Sequence, residues 1–297
     1  MNVNPNILKG TFLLVLSAFL YSLMPVLIRT LGVGGLLPIS QVFLRYIFAF
    51  ISAAIYYFLI TKQKVKVHKK NVIVLGLATV FGYALTNLFF TYSILLTQIS
   101  NALFLFYTYA IITPILGLLV LKEKINKVNV LSLLLSMLAL FLLFQPNSLQ
   151  TWKLGGIFAL LSAFGQALYL VLRKKLHSYS AGFMMLANTF IGVIVLGFLS
   201  FAFETDFYVK GFLENISITT WITTIIFGID NFLAWITMTK GFEYFKSSSG
   251  SMILLTELLF GIIFALLFFG EVPTTMTLLG GALILFSTSL VILKNSS

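Results

Sequence analysis

The sequence predicts an all-α integral membrane protein of about ten transmembrane helices, and three observations carry that prediction. Of its 297 residues 60% are hydrophobic and only 9% charged, with a mean hydropathy of +1.06. A water-soluble domain carries about 25% charged residues, so this chain cannot cover a surface that faces water. Apolar runs long enough to cross a bilayer core, roughly 20 residues each, follow one another with little chain between them. Finally, a short pattern recurs: Ser100, Thr108, Ile115, Leu118, Leu119 and Glu123 meet Ser248, Thr256, Ile263, Leu266, Leu267 and Glu271 at one constant offset. Repeated hydrophobic segments are a building plan of secondary transporters.

Taken in order, the spans are expected near residues 9–29, 38–61, 71–95, 99–121, 127–144, 153–172, 181–203, 217–240, 247–269 and 274–293. The first runs apolar from Phe12 to Ile28, longer than the roughly 7–15 residues of a signal-peptide core, and no small-residue cleavage site precedes Arg29, so it reads as a span. Pro25 in the first span and Pro114 in the fourth each remove a backbone donor. Both are hinge candidates, with a static, well-packed kink as the alternative. Ser17-Ala18-Phe19 in the first span matches Ser162-Ala163-Phe164 in the sixth. The last span carries Gly280-Gly281-Ala282, suited to close helix contact.

The net charge of +11 is distributed by loop. Lys62, Lys64, Lys66, Lys69 and Lys70 fill the second connection, Lys122, Lys124 and Lys127 the fourth, and Arg173, Lys174 and Lys175 the sixth; Lys240 and Lys246 flank the eighth. Odd connections hold little beyond Arg29, Lys153 and Lys210. Basic alternate loops place both termini in the cytoplasm of a plasma-membrane protein, and make anionic lipid headgroups rather than nucleic acid the partner of these lysines. The repeat divides the chain into residues 1–147 and 148–297. With five spans in each, the second half must enter the membrane from the opposite side, so the two repeats are expected to be inverted.

Two five-helix halves, an arginine in the second span at Phe43-Leu44-Arg45-Tyr46, and Phe269-Gly270-Glu271 closing the ninth resemble the EamA family of the drug/metabolite transporter superfamily over nearly the whole chain. The second half of such proteins often carries a Glu-Pro pair upstream of the closing glutamate; Glu257 fits, and Leu258 replaces the proline. In the first half Ala110 takes the comparable place and Pro114 follows a turn later, so a break in the fourth helix is expected to be displaced. The resemblance implies ten helices, a central cavity between the halves, and passage of small metabolites such as amino acids.

Ionisable groups inside spans cost about 2.5–3.5 kcal/mol each on insertion scales, so each calls for a partner or a pathway. Arg45, Asp230 and Glu257 are the three that stand out. Glu257 reads as a proton-coupling group or the counter-charge of a substrate ammonium; the alternative is bonding to backbone freed at a broken helix. For Asp230 the alternative to ligand contact is an ion pair with Arg45 or a hydrogen bond to Asn87 or Gln166. Arg45 reads as a structural charge partner, because a guanidinium satisfies several acceptors at once. Asn231 and Trp235 share one helix face, Tyr21 and Gln166 occupy matching places in spans one and six, and Tyr107 and Tyr109 belong to the fourth. The expected substrate-binding set is Glu257, Asp230, Asn231, Trp235, Tyr109, Gln166, Tyr21 and Asn87, a polar pocket with aromatic walls. Against it stands plain packing, since aromatic residues make up 15% of the chain.

Catalytic chemistry finds no support. The two histidines, His68 and His177, lie in basic loops and cysteine is absent, so no metal site is expected, nor does any phosphate-binding loop occur. No cofactor is implied beyond proton coupling. The function read from these residues is a secondary transporter of small polar metabolites, amino acids or amines, working by alternating access and expected to export. A non-coupled facilitator and a non-transporting membrane scaffold are the rivals; oligomeric state is left open.

Overall fold

A computed structural model describes residues 5–62, 67–123, 126–144, 154–205, 216–269 and 272–296. Ten helices in it are long and apolar enough to cross a membrane. Within lipid no water is at hand for unpaired N–H and C=O groups, so each span must satisfy its own backbone, and an α-helix does so. Among the described residues there is no strand. Gly270, Glu271 and Trp152 lie outside the described residues.

Among the described residues spans one, four and nine are broken and the third carries a π turn, while the second ends in another, at Tyr56–Thr61. The first divides into Pro5–Tyr21 and Met24–Val33, with Pro25 inside the first turn of the second piece, where a missing N–H costs nothing. The fourth divides into Ile99–Phe106 and Tyr109–Leu121, and the ninth into Ser247–Leu254 and Glu257–Phe269. The third contains a π turn at Val80–Ala84 between α-helical stretches.

The break in the fourth span corrects the sequence reading. It falls at Tyr107 and Thr108, in register with Leu255 and Thr256, while Pro114 lies inside an unbroken helix. Threonine, not proline, marks both places. The Thr108 hydroxyl donates to the Leu105 carbonyl at 2.6 Å and the Thr256 hydroxyl to Ile253 at 2.8 Å. Each of these carbonyls also accepts the threonine's own N–H, at 3.2 and 3.1 Å, so hydroxyl and amide of one residue bond the same oxygen at each break.

The duplicated serines pack alike. Ser17 donates to the Ala234 carbonyl at 2.8 Å, tying span one to span eight, and Ser162 donates to Thr86 at 2.9 Å, tying span six to span three. Close approach elsewhere depends on glycine. A Cβ on Gly228 would lie 2.6 Å from the Arg45 carbonyl oxygen, and one on Gly82 would lie 3.0 Å from the Tyr169 Cα. Only hydrogen fits between these backbones.

Two carboxylates cap helices at the ends of the bundle. Glu204 accepts from the Ile39 and Ser40 N–H groups at 2.9 and 2.6 Å, at the start of the second span. Glu123 accepts from the Ser247 N–H at 3.2 Å and the Ser247 hydroxyl at 2.8 Å, at the start of the ninth. Both place negative charge where the helix dipole is positive.

Candidate functional site

The interruptions converge on one cavity. Tyr21 and Met24 flank the gap in the first span, Phe106 and Tyr109 that in the fourth, and Leu254 and Glu257 that in the ninth; all six line it. Thr86, Asn87 and Phe90 reach it from just beyond the π turn, with Ser162 and Gln166 from span six and Trp235 from span eight. Irregular backbone is tolerated at membrane depth only where protein buries it or a cavity borders it. The cavity volume is ≈ 30 Å³, space for about two waters, so a metabolite fits only after the walls separate.

Glu257 opens the second piece of the ninth span and is 4% exposed. Its side chain lies at a helix N-terminus, and it borders a neighbouring cavity together with Tyr107. The alternative role considered for it, bonding to freed backbone, is filled locally. The Leu255 N–H donates to Met252 and the Thr256 N–H to Ile253, at 3.2 and 3.1 Å.

Trp235 is 2% exposed and ringed by aromatic neighbours. Tyr83, Tyr169 and Tyr21 meet it edge to face, with centroids 4.3, 4.7 and 6.0 Å away. Such geometry adds about 0.5–1.5 kcal/mol per pair beyond area burial. Its indole N–H has no acceptor, which costs about 1–3 kcal/mol in a buried donor and leaves it able to bond a ligand oxygen. Tyr21 and Gln166, the matched pair, both donate to the Met238 sulfur, at 3.4 and 3.5 Å.

Behind this wall lies a polar network. The π turn frees carbonyls that side chains then satisfy: Asn87 Nδ2 donates to Tyr83 at 3.0 Å, the Tyr46 hydroxyl to the same oxygen at 3.3 Å, and Thr86 to Phe81 at 2.9 Å. Asn87 Oδ1 accepts from Arg45 and from Asn231, each at 3.3 Å, and Asn231 accepts from the Tyr83 hydroxyl at 3.1 Å.

Of the eight expected binding residues, Tyr21, Asn87, Tyr109, Gln166, Trp235 and Glu257 line the cavity; Asp230 and Asn231 do not. Asn231 bonds into the polar network instead, through Asn87 and Tyr83. The ion pair considered between Asp230 and Arg45 is not formed. The Arg45 guanidinium sits over the Phe227 ring, 4.3 Å from its centroid, and Asp230 Oδ2 has no hydrogen-bond partner. Among the described residues the ion pair within 4.0 Å is Arg173–Glu243, at 3.2 Å. Sequence reasoning did not assign Tyr83, Tyr169, Thr86, Ser162, Phe90 or Phe106 to the site. Ser162 carried a usable signal, since it belongs to the repeated Ser-Ala-Phe pair.

Comparison with known proteins agrees with this architecture. The Pseudopaline exporter CntI of Pseudomonas aeruginosa (strain UCBPP-PA14) is 26% identical over 285 residues, 93% of both chains. An uncharacterized transporter of Clostridium kluyveri is 26% identical over 200 residues, 63% of this chain and 63% of that relative; the chain thus spans somewhat under two thirds of its length. A solved crystal structure superposes with a TM-score of 0.77, covering 99% of this chain and 100% of that one at 14% identity, a likeness of fold. The profile of the EamA-like transporter family matches residues 8–145 and 153–293. The chain belongs to the EamA-like transporter family.

Proposed function

We propose that this chain is a secondary transporter of the plasma membrane that exports small polar metabolites bearing an amino group, amino acids or amines. Its halves, residues 1–147 and 148–297, are inverted repeats that rock about the central cavity, and both termini are cytoplasmic. One observation carries the reading: the cavity is framed by the breaks of spans one, four and nine, with Glu257 at the head of a half-helix. Discontinuous helices at a mid-membrane site are how transporters expose backbone and charge to a substrate. The basic alternate loops support the orientation, and the exporter among the relatives supports the direction. In this role the Glu257 carboxylate pairs with the substrate ammonium, aromatic faces hold its body, and the Trp235 N–H bonds an oxygen on it.

The test is flux in proteoliposomes of labelled amino acids and amines, leucine and tyramine among them, with and without an imposed pH gradient, for the parent and Glu257→Gln. A proton on Glu257 removes the charge that holds an ammonium, so binding weakens as pH falls and the gradient drives exchange. Saturable flux that follows the gradient and collapses in Glu257→Gln is the expected outcome. Saturable flux indifferent to both makes the protein a facilitator with a structural Glu257, and no saturable flux for any compound overturns the transport reading.

A further inference from the structure

Glu257 borders two cavities, and the site above accounts for one. On its far side, a second cavity of ≈ 200 Å³ is lined by Ser22, Pro25, Tyr107, Gly261 and Thr277, with Leu143 and Phe144 of the fifth span at its edge. One water needs about 10–15 Å³ of such space, so this cavity has room for on the order of ten, against about two in the central one. The Tyr107 phenol, the Ser22 and Thr277 hydroxyls and the Glu257 carboxyl are the polar groups to which waters there could bond. The break in the fourth span makes this division: Tyr109 lines the central cavity, and Tyr107, on the other side of Thr108, lines the second. Tyr107 and Glu257 both line this second cavity.

We propose that the second cavity is a proton path to Glu257, separate from the substrate cavity, with Tyr107 as the positioning residue at its end. The proposal rests on the transport reading above. A proton arriving from the second cavity adds to the carboxylate, forming one O–H bond and an uncharged carboxyl; the cationic substrate, no longer held, leaves through the central cavity. Loss of that proton to the same waters restores the anion. The titratable groups set toward Glu257 are Tyr21 of the first span and Tyr107 and Tyr109 of the fourth. Among the described residues no lysine, arginine, histidine or second acid lines either cavity, so Glu257 is the one carboxyl in either lining.

The chain has no cysteine, and a Cβ at position 261 meets nothing within 4 Å, so Gly261→Cys puts a single thiol into the second cavity without a clash. Phe141→Cys, at a side chain 58% exposed on the outside of the fifth span, is the lipid-facing control. A charged methanethiosulfonate reagent reacts with thiolate, which forms in water and not in lipid, so modification at 261 is expected at least about tenfold faster than at 141. Modified Gly261→Cys is expected to lose proton-driven tyramine flux while still binding tyramine, measured by displacement. Tyr107→Phe is expected to move the pH profile of flux and leave tyramine binding at high pH unchanged. The proposal is overturned if position 261 reacts no faster than 141, if its modification leaves coupling intact or removes binding and coupling together, or if Tyr107→Phe leaves the pH profile in place. The labelling ratio is read by mass, so it decides the hydration of this cavity even where tyramine flux is absent, an outcome that counts separately against tyramine as substrate.

Discussion

Replacing Glu123 by glutamine isolates the charge in the contact that ties the end of span four to the start of span nine. One carboxylate oxygen accepts the Ser247 N–H at 3.2 Å; the other accepts the Ser247 hydroxyl at 2.8 Å and the Ser248 hydroxyl at 3.5 Å. Hydrogen bonds to a charged acceptor contribute about 1.5–3 kcal/mol net and neutral ones about 0.5–1.5, and attraction to the helix N-terminus adds about 0.3–1. Glutamine keeps the shape and one acceptor but turns the other oxygen into a donor facing donors. Glu123 is only partly buried, which screens the charge, so the expected loss is about 1–2 kcal/mol, or a 5- to 30-fold shift toward separation of the two spans. Ser251, fully buried one turn along the ninth span, serves as a reporter once changed to cysteine in this cysteine-free chain. Its labelling by a membrane-permeant thiol reagent is expected to quicken by that factor in Glu123→Gln, while Glu123→Asp gives a smaller change. An equal labelling rate in parent and Glu123→Gln would refute the idea that this carboxylate holds these two span ends together.

Two further substitutions probe packing and recognition apart. Gly228→Ala drives a methyl to 2.6 Å from the Arg45 carbonyl oxygen, a backbone atom that cannot swing aside, and is expected to cost about 1–3 kcal/mol; thermal unfolding in detergent checks it, and an unchanged midpoint contradicts it. Trp235→Phe retains an aromatic ring against Tyr83 and Tyr169 but deletes the unpartnered N–H. The half-saturation concentration of substrates carrying an oxygen acceptor is expected to rise about 2- to 12-fold, the size of one net hydrogen bond, with thermal stability little altered.

Much of the fold was legible because lipid leaves the backbone few choices: length and hydropathy alone give ten spans. The site was legible where a residue was costly or repeated. Glu257 and Trp235 are expensive to bury without purpose, and Tyr21 and Gln166 were marked by their matched positions; all four line the cavity. Asp230 and Asn231 lie outside the cavity lining. Neighbouring helices set the rotation of a span, which hydropathy does not reveal, and Gly228 lets span eight press against span two. The π turn at Val80–Ala84 has no sequence signature, yet its extra residue per turn sets where Tyr83 and Thr86 point. The fourth-span break was misread because proline is the stronger general signal, although the repeat had already paired Thr108 with Thr256.

The two halves share their scaffolding and differ in their chemistry. Matched serines bond matched carbonyls, and matched threonines close matched breaks. At the head of the half-helix, however, the second repeat places Glu257 and the first places Tyr109. Had both halves kept an acid there, two carboxylates would border one small cavity, and like charges at short range resist joint ionisation. With tyrosine on one side, Glu257 is the one acid among the described residues of the lining. Under the alternating access proposed above, motion of one half against the other would change which side of the membrane the cavity faces without changing the charge the cavity presents. A cation would meet the same counter-ion in either orientation, and protonation of that one group, not the motion, would set how tightly it is held.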